Sequence, residues 1–229
     1  AAFPSHAAKA EILLVDNAST GGDFALACER FAAMHVLRNP SNDYWAGGNN
    51  RAIAWALERD YDWLVLCNND IVVDPRWPLA LQAIAPDPAI GVVGFNVIGE
   101  YRREPRELFE AARAGFRLED LQWHDDTYIS GCFLAVRRDC FEALGLFDPI
   151  YRMYAEEDDF LIRVRLAGWR TVRCTAPIWH VSELASRRVP LLTSYLAIRN
   201  TLRLRLKFGP HRLRRALGFC LEVLRRMLN

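Results

Sequence analysis

The 229-residue chain carries a formal net charge of +1, 52% hydrophobic residues and a mean hydropathy of −0.04, which is enough apolar content to bury one large domain and excludes a collagen-like, disordered or disulfide-framework chain. Its six cysteines, Cys28, Cys67, Cys132, Cys140, Cys174 and Cys220, lie far apart without a Cys-x-x-Cys pair, a pattern of free thiols in a reducing compartment and not of a zinc site. The near-neutral total hides an asymmetry: residues 187–229 hold eleven Arg or Lys against the single acid Glu222, so an acidic body near −9 precedes a basic tail near +10.

The chain opens with Ala and not Met, which reads as a start partway into a longer frame or after processing. No signal peptide or 18-residue apolar run is visible in it. A short apolar strand over 11–15 delivers Asp16-Asn17-Ala18-Ser19-Thr20-Gly21-Gly22 to its carboxyl end. In open α/β sheets that edge forms the ligand crevice, and a carboxylate there accepts hydrogen bonds from a ribose or a base N–H. Asp16 is equally suited to cap the helix expected over 23–34. A strand at 35–37 leads into a segment ending Ala46-Gly47-Gly48-Asn49-Asn50. The paired glycines open a helix and admit the close approach of a nucleotide, or simply of a neighbouring element.

Trp63-Leu64-Val65-Leu66-Cys67 is too short for a helix and reads as a strand buried on both faces. Asn68-Asn69-Asp70 then stands at its carboxyl end, where a carboxylate flanked by amides suits a divalent cation carrying phosphate, or equally a plain turn. A helix over 75–85 with proline in its first turn and a strand over 90–95 continue an alternation that argues a mostly parallel sheet wrapped by helices.

Residues 97–126 break that pattern, being charged and irregular with one helix near 108–114, and fit a lid, an acceptor-side insertion or a solvated excursion. A strand over 129–136 is entered through Ser130-Gly131, and a helix over 138–144 follows. Phe160, Leu161, Val164 and Ala167 then form a helical apolar stripe that Gly168 ends. Four acids, Glu156, Glu157, Asp158 and Asp159, begin this helix. One or two complement its positive end, and four like charges together call for a second role, for which taking a proton from a substrate hydroxyl is a candidate. A strand over 171–174 precedes Ile178-Trp179-His180, whose histidine is either structural or, with Asp70, a ligand for a hard cation. Amphipathic basic segments over 190–207 and 210–228 suit an anionic membrane interface, a partner or the domain itself, and carry no nucleic-acid recognition motif.

Taken together and in this order, Leu14 to Thr20, Asn42 to Asn50, Asn68-Asn69-Asp70, Ser130-Gly131, the acids 156–159 before Arg163 and Gly168, and His180 resemble family 2 inverting glycosyltransferases of the GT-A fold, most closely their rhamnosyltransferase-like branch. The resemblance covers roughly residues 10–200. It implies an α/β, Rossmann-like, mostly parallel sheet flanked by helices over 1–186, followed by an amphipathic helical tail over 187–229. It implies a sugar moved, with inversion, from a nucleoside-diphosphate donor, rhamnose being the suggestion of the branch, to a hydroxyl of a cell-envelope glycan or lipid-linked acceptor. The protein would be cytoplasmic, peripheral at the inner face of the membrane, and would not bind nucleic acid.

Carried over by position, Asp16, Asn17, Asn42, Gly47, Asn50 and Asn69 would line the nucleotide pocket. Asp70 and His180 would hold Mg²⁺ or Mn²⁺, and Ser130 and Gly131 would meet the sugars. Glu157 would be the base, with Glu156 and Asp158 as nearest rivals. Three features depart from the family pattern: Asn68 replaces its first Asp, Glu157 replaces its usual Asp, and the family's first strand should precede Glu11. A non-catalytic nucleotide-sugar-binding remnant and a nucleotidyltransferase are the other readings of the same residues.

Overall fold

The computed structural model describes residues 10–99, 104–181 and 190–209, with isolated positions 218, 219, 221 and 225. The helix expected over 210–228, and Cys220 with it, thus falls outside the described residues. Parallel strands β1 (Leu13–Asp16) and β2 (His35–Arg38), joined through helix α1 (Asp23–Arg30), form a two-stranded sheet beside helix α2 (Tyr44–Leu57). The larger sheet is built from β3 (Trp63–Cys67), β4 (Ile71–Val73), β5 (Ile90–Ile98), β6 (Trp123–Asp125), β7 (Phe133–Arg137) and β8 (Arg170–His180). Its order is β3-β7-β5-β8-β4, with β6 on the far part of β8. Around it lie α3 (Trp77–Ile84), α4 (Arg106–Gly115), α5 (Arg138–Leu144), α6 (Glu156–Leu166) and α7 (Pro190–Phe208).

The α/β layering expected from the sequence is present, and the alternation of side chains along each strand explains it. In β7, Leu134 and Val136 face one core with Ile53, Phe141, Phe147, Phe160 and Leu161, whereas Phe133 and Ala135 face a second core with Leu81, Ile84, Phe95 and Ile178. Both faces of the sheet are therefore buried, as its continuous apolar runs require.

The strand directions are mixed. β7 enters antiparallel between β3 and β5, and β4 and β6 run antiparallel to β8, while β5 and β8 are parallel. β3, β5 and β8 consequently point the same way and bring their carboxyl ends to one edge.

The helix expected over 23–34 ends at Arg30, and the strand expected over 129–136 is Phe133–Arg137; three further differences have identifiable reasons. The strand expected over 171–174 extends over eleven residues to His180, and Pro177 is accommodated just past a register shift, opposite Asn96. The proline in the first turn of α3 is Pro78, not Pro75. The excursion after β5 folds back onto β8: Phe109 of α4 stacks on Trp179, and the buried Asp74 grips Arg76 through two charged hydrogen bonds of 2.7–2.8 Å while Arg76 also donates to the Arg113 and Phe116 carbonyls.

Helix α7 packs on α6 rather than standing off as a tail. Its Leu196 and Asn200 are fully buried.

Candidate functional site

The end of β1 is organised by Asn17. Its amide nitrogen donates to the Asn42 side chain and the Tyr44 carbonyl, and its oxygen accepts from Asn39 and from the backbone of Asp43. This ties the β1 edge to the start of α2, where Asn42 also accepts from the Tyr44 N–H. Gly48 lies against this amide, since a Cβ there would stand 3.1 Å from Asn17 Nδ2, whereas Gly47 abuts Asp43 of its own turn.

Asp16 is buried and accepts from the Ser19 N–H at 2.9 Å, with Arg38 at 3.0 Å. The Ser19 bonds, and then the Arg38 charge, hold its carboxyl below the usual carboxylate range against the opposing pull of burial. A cleft of about 390 Å³ opens beside it, lined by Ala18, Ser19, Arg38, Asn39 and Pro40.

Trp45 links this region to the end of β3. Its indole N–H donates to Asn68 Oδ1 at 3.1 Å, and the Asn68 N–H donates to the Cys132 carbonyl. Asp70 stands two residues further on, in the turn to β4, and its carboxylate lies 3.3 Å from His180 Nε2. The His180 hydrogen bond lowers the Asp70 pKa. β4 pairs with the end of β8, so Ile71 faces His180, and the Val181 N–H donates to the Asp70 carbonyl. Asn69 is exposed in the same turn.

The four acids of α6 separate into distinct surroundings. Asp159 is fully buried and takes Arg163, Lys207 and the Tyr151 hydroxyl at 2.9, 2.6 and 3.1 Å. Glu156 is buried, its Oε2 has no hydrogen-bond partner among the described residues, and burial raises its pKa to about 7. Asp158 is also raised by burial, against the pull of Arg165. Glu157 is half-buried and borders the other elements: a Cβ on Gly131 would lie 3.3 Å from both its Oε1 and Trp45 Cζ2. Ser130 turns its hydroxyl to Cys132 at 3.3 Å.

Glu157, Gly131, Trp45 and Asn68 thus form one contact set at the carboxyl edge of β3, with the Asp70–His180 pair in the following turn and the Asp16–Asn17 end of β1 reached through α2. Asn50 is elsewhere engaged, because both heteroatoms of its amide bond the Phe147 backbone, at 2.8 and 3.0 Å. Sequence reasoning does not single out Trp45 or Asn39. An indole in the first turn of a helix, immediately before the small residues Ala46, Gly47 and Gly48, is the signal that points to the first, and Asn39, buried just after β2, has no local signature. Among the described residues no three His, Cys, Asp or Glu side chains gather as a ready metal cluster, and the five cysteines form no disulfide.

The family model of glycosyl transferase family 2 matches residues 6–145, more than half of the chain. The chain belongs to glycosyl transferase family 2. Two relatives agree with that membership. N-acetylglucosaminyl-diphospho-decaprenol L-rhamnosyltransferase of Mycobacterium tuberculosis is 29% identical over 81% of this chain and 70% of its own length. O-antigen biosynthesis protein RfbC of Myxococcus xanthus is likewise 29% identical, over 78% of this chain and 15% of its own length.

Among solved structures, the mannosyltransferase PcManGT of Pyrobaculum calidifontis in complex with GDP-Man and Mn²⁺ superposes with a TM-score of 0.61 at 17% identity, covering 91% of this chain and 59% of that one. This family 2 glycosyltransferase therefore spans about three fifths of that solved structure, and the likeness shows the GT-A fold. No helix among its described residues is long and apolar enough to cross a membrane.

Proposed function

We propose that the chain transfers a sugar, with inversion and with a divalent cation, from a nucleoside-diphosphate donor to a hydroxyl of a lipid-linked or cell-envelope glycan acceptor. The observation that carries this reading is that Glu157 and Trp45 both border Gly131 while Trp45 bonds Asn68, two residues before Asp70, which supports a carboxylate near the end of β3. In the reaction the acceptor oxygen bonds to the anomeric carbon as the bond to the diphosphate breaks on the opposite face, and Glu157 takes the hydroxyl proton. The name of the M. tuberculosis relative supports a rhamnosyl donor and a polyprenyl-diphosphate-linked acceptor.

Asp16, Asn17 and the cleft over Ser19 and Asn39 would hold the nucleoside. The exposed Arg38 side chain can swing from Asp16 to leave the carboxylate for a base N–H. Asp70 and His180 are the residues that would hold Mg²⁺ or Mn²⁺, and their chemistry fits: an oxygen and an imidazole, the latter with its Nδ1 buried and without a hydrogen-bond partner among the described residues. Two protein ligands suffice for an ion that keeps water and phosphate oxygens in its shell. When bound, the cation neutralises charge on the departing diphosphate. The exposed apolar side of α7 and the basic residues after it would rest on an anionic membrane surface near such an acceptor.

The test is release of nucleoside diphosphate from a panel of nucleotide sugars with Mn²⁺ or Mg²⁺ and a polyprenyl-linked acceptor. Glu157→Gln is expected to lower kcat by about 10²–10⁴-fold with donor binding kept, and Asp70→Ala to remove the metal-stimulated turnover. Full activity in Glu157→Gln would strike it from the mechanism.

A further inference from the structure

We propose that Asn200, together with Arg199, is a positioning residue that fixes the 151–155 loop and through it the start of α6, where Glu156 and Glu157 stand. The catalytic part of this proposal rests on the reading of Glu157 as the base.

Asn200 sits on α7 and is fully buried. Its amide nitrogen lies 2.8, 2.9 and 2.7 Å from the carbonyls of Tyr151, Met153 and Tyr154. Two amide hydrogens thus serve three acceptors, one of them shared. Arg199 completes the clamp from outside. Its Nε donates to Asn200 Oδ1 at 2.9 Å, which fixes which way the amide faces, and its Nη2 donates to the carbonyls of Ile150 and Tyr151 at 2.7 and 3.1 Å.

The clamped loop is the most contorted stretch of the described chain. Arg152, Tyr154 and Ala155 all adopt left-handed φ, 64°, 71° and 70°, three of the five non-glycine residues that do so. L-residues adopt that conformation only where surroundings enforce it. Ala155 is also the residue that caps the start of α6, so its backbone sets the direction of the first helical turn and hence of Glu156 and Glu157. Carbonyls turned inward by this contortion need buried donors, and Asn200 supplies them from an element remote in sequence. A second tie, Lys207 to Asp159 at 2.6 Å, holds the same two helices together further along.

The experiment compares the full chain with Asn200→Ala and Arg199→Ala by hydrogen–deuterium exchange and by steady-state turnover. In Asn200→Ala, exchange over residues 150–160 is expected to rise about tenfold while peptides of β5 and β7 hold their protection. With the nucleotide sugar that wild type turns over, kcat falls about tenfold at nearly unchanged donor KM. Arg199→Ala, on the solvent side of the clamp, should show the same local pattern at lower amplitude, and it carries the test if Asn200→Ala does not fold.

Unchanged exchange over 150–160 in the variants overturns the clamp, as does a rise shared equally with β5 and β7. A local rise with kcat intact overturns the positioning role. The exchange arm needs no donor, so a chain inactive on every nucleotide sugar would refute the base assignment while the clamp is still decided by exchange.

Discussion

Glu156 and Glu157 are neighbours in sequence with opposite surroundings, and the difference has a measurable sign. Burial lifts the Glu156 pKa from its ordinary 4.5 to about 7, so the native state prefers the protonated acid. Below the ordinary value both folded and unfolded chains are protonated and no penalty exists. Between that value and about 7 the unfolded chain ionises first, and the native state loses up to about 1.4 kcal/mol of stability per pH unit, the full loss being reached above 7. Glu156→Gln removes the penalty. Its melting temperature is expected to exceed wild type by roughly 10 °C at pH 8 and to match it at pH 4, and a gain independent of pH would mean that ionisation of Glu156 is not what costs stability. The sequence makes it legible that four acids exceed what a helix start needs. Which acid goes where was not legible, because Lys207, which helps draw Asp159 inward, is 48 residues away in the chain, and Gly131, against which Glu157 lies, is also remote.

At the scale of elements, strands and helices are largely readable from periodicity, whereas their directions are not. Alternation of strand and helix describes β1, β2, β3 and β5, but it misses β4, which follows β3 with no helix between, and nothing in residues 129–136 says that β7 enters antiparallel between β3 and β5. That insertion is what sets Gly131 beside Glu157. The close fit there predicts that Gly131→Ala, whose new methyl would lie 3.3 Å from Glu157 Oε1 and Trp45, displaces one or both by a few tenths of an ångström. Since a catalytic carboxylate tolerates little misplacement, kcat is expected to fall about tenfold or more, with stability changed by less than about 1 kcal/mol because the neighbours need shift by only a few tenths of an ångström. Turnover and thermal unfolding measured on the same preparation check both halves. A loss of stability that matches the loss of activity would make Gly131 a packing residue and nothing more.

For the whole molecule, the charge asymmetry and the packing of α7 together define where a membrane surface would be met. The composition shift places a boundary at 187, yet Leu196 and Asn200 bind α7 to the body, so the basic segment includes a helix that is part of the folded domain. On the opposite side of α7 from Asn200, the exposed residues Leu191, Tyr195, Ile198 and Leu206 fall within one arc of the helix, at spacings of four, three and eight. Residues 209–229 add five arginines against Glu222. An apolar stripe with arginines beyond it attracts anionic headgroups at about 1 kcal/mol per basic residue near the surface. Removing residues 209–229, a net four positive charges, is therefore expected to weaken flotation with anionic vesicles by up to about 10³-fold at low salt. The deletion keeps Asn200 and Lys207, so turnover on a soluble acceptor should persist. Because the attraction is screened within roughly one Debye length, raising the salt concentration should release the full chain, while Ile198→Glu should weaken flotation at every salt concentration. Equal flotation of the full and shortened chains, or binding to zwitterionic vesicles as strong as to anionic ones, would show that the basic segment is not what meets the membrane.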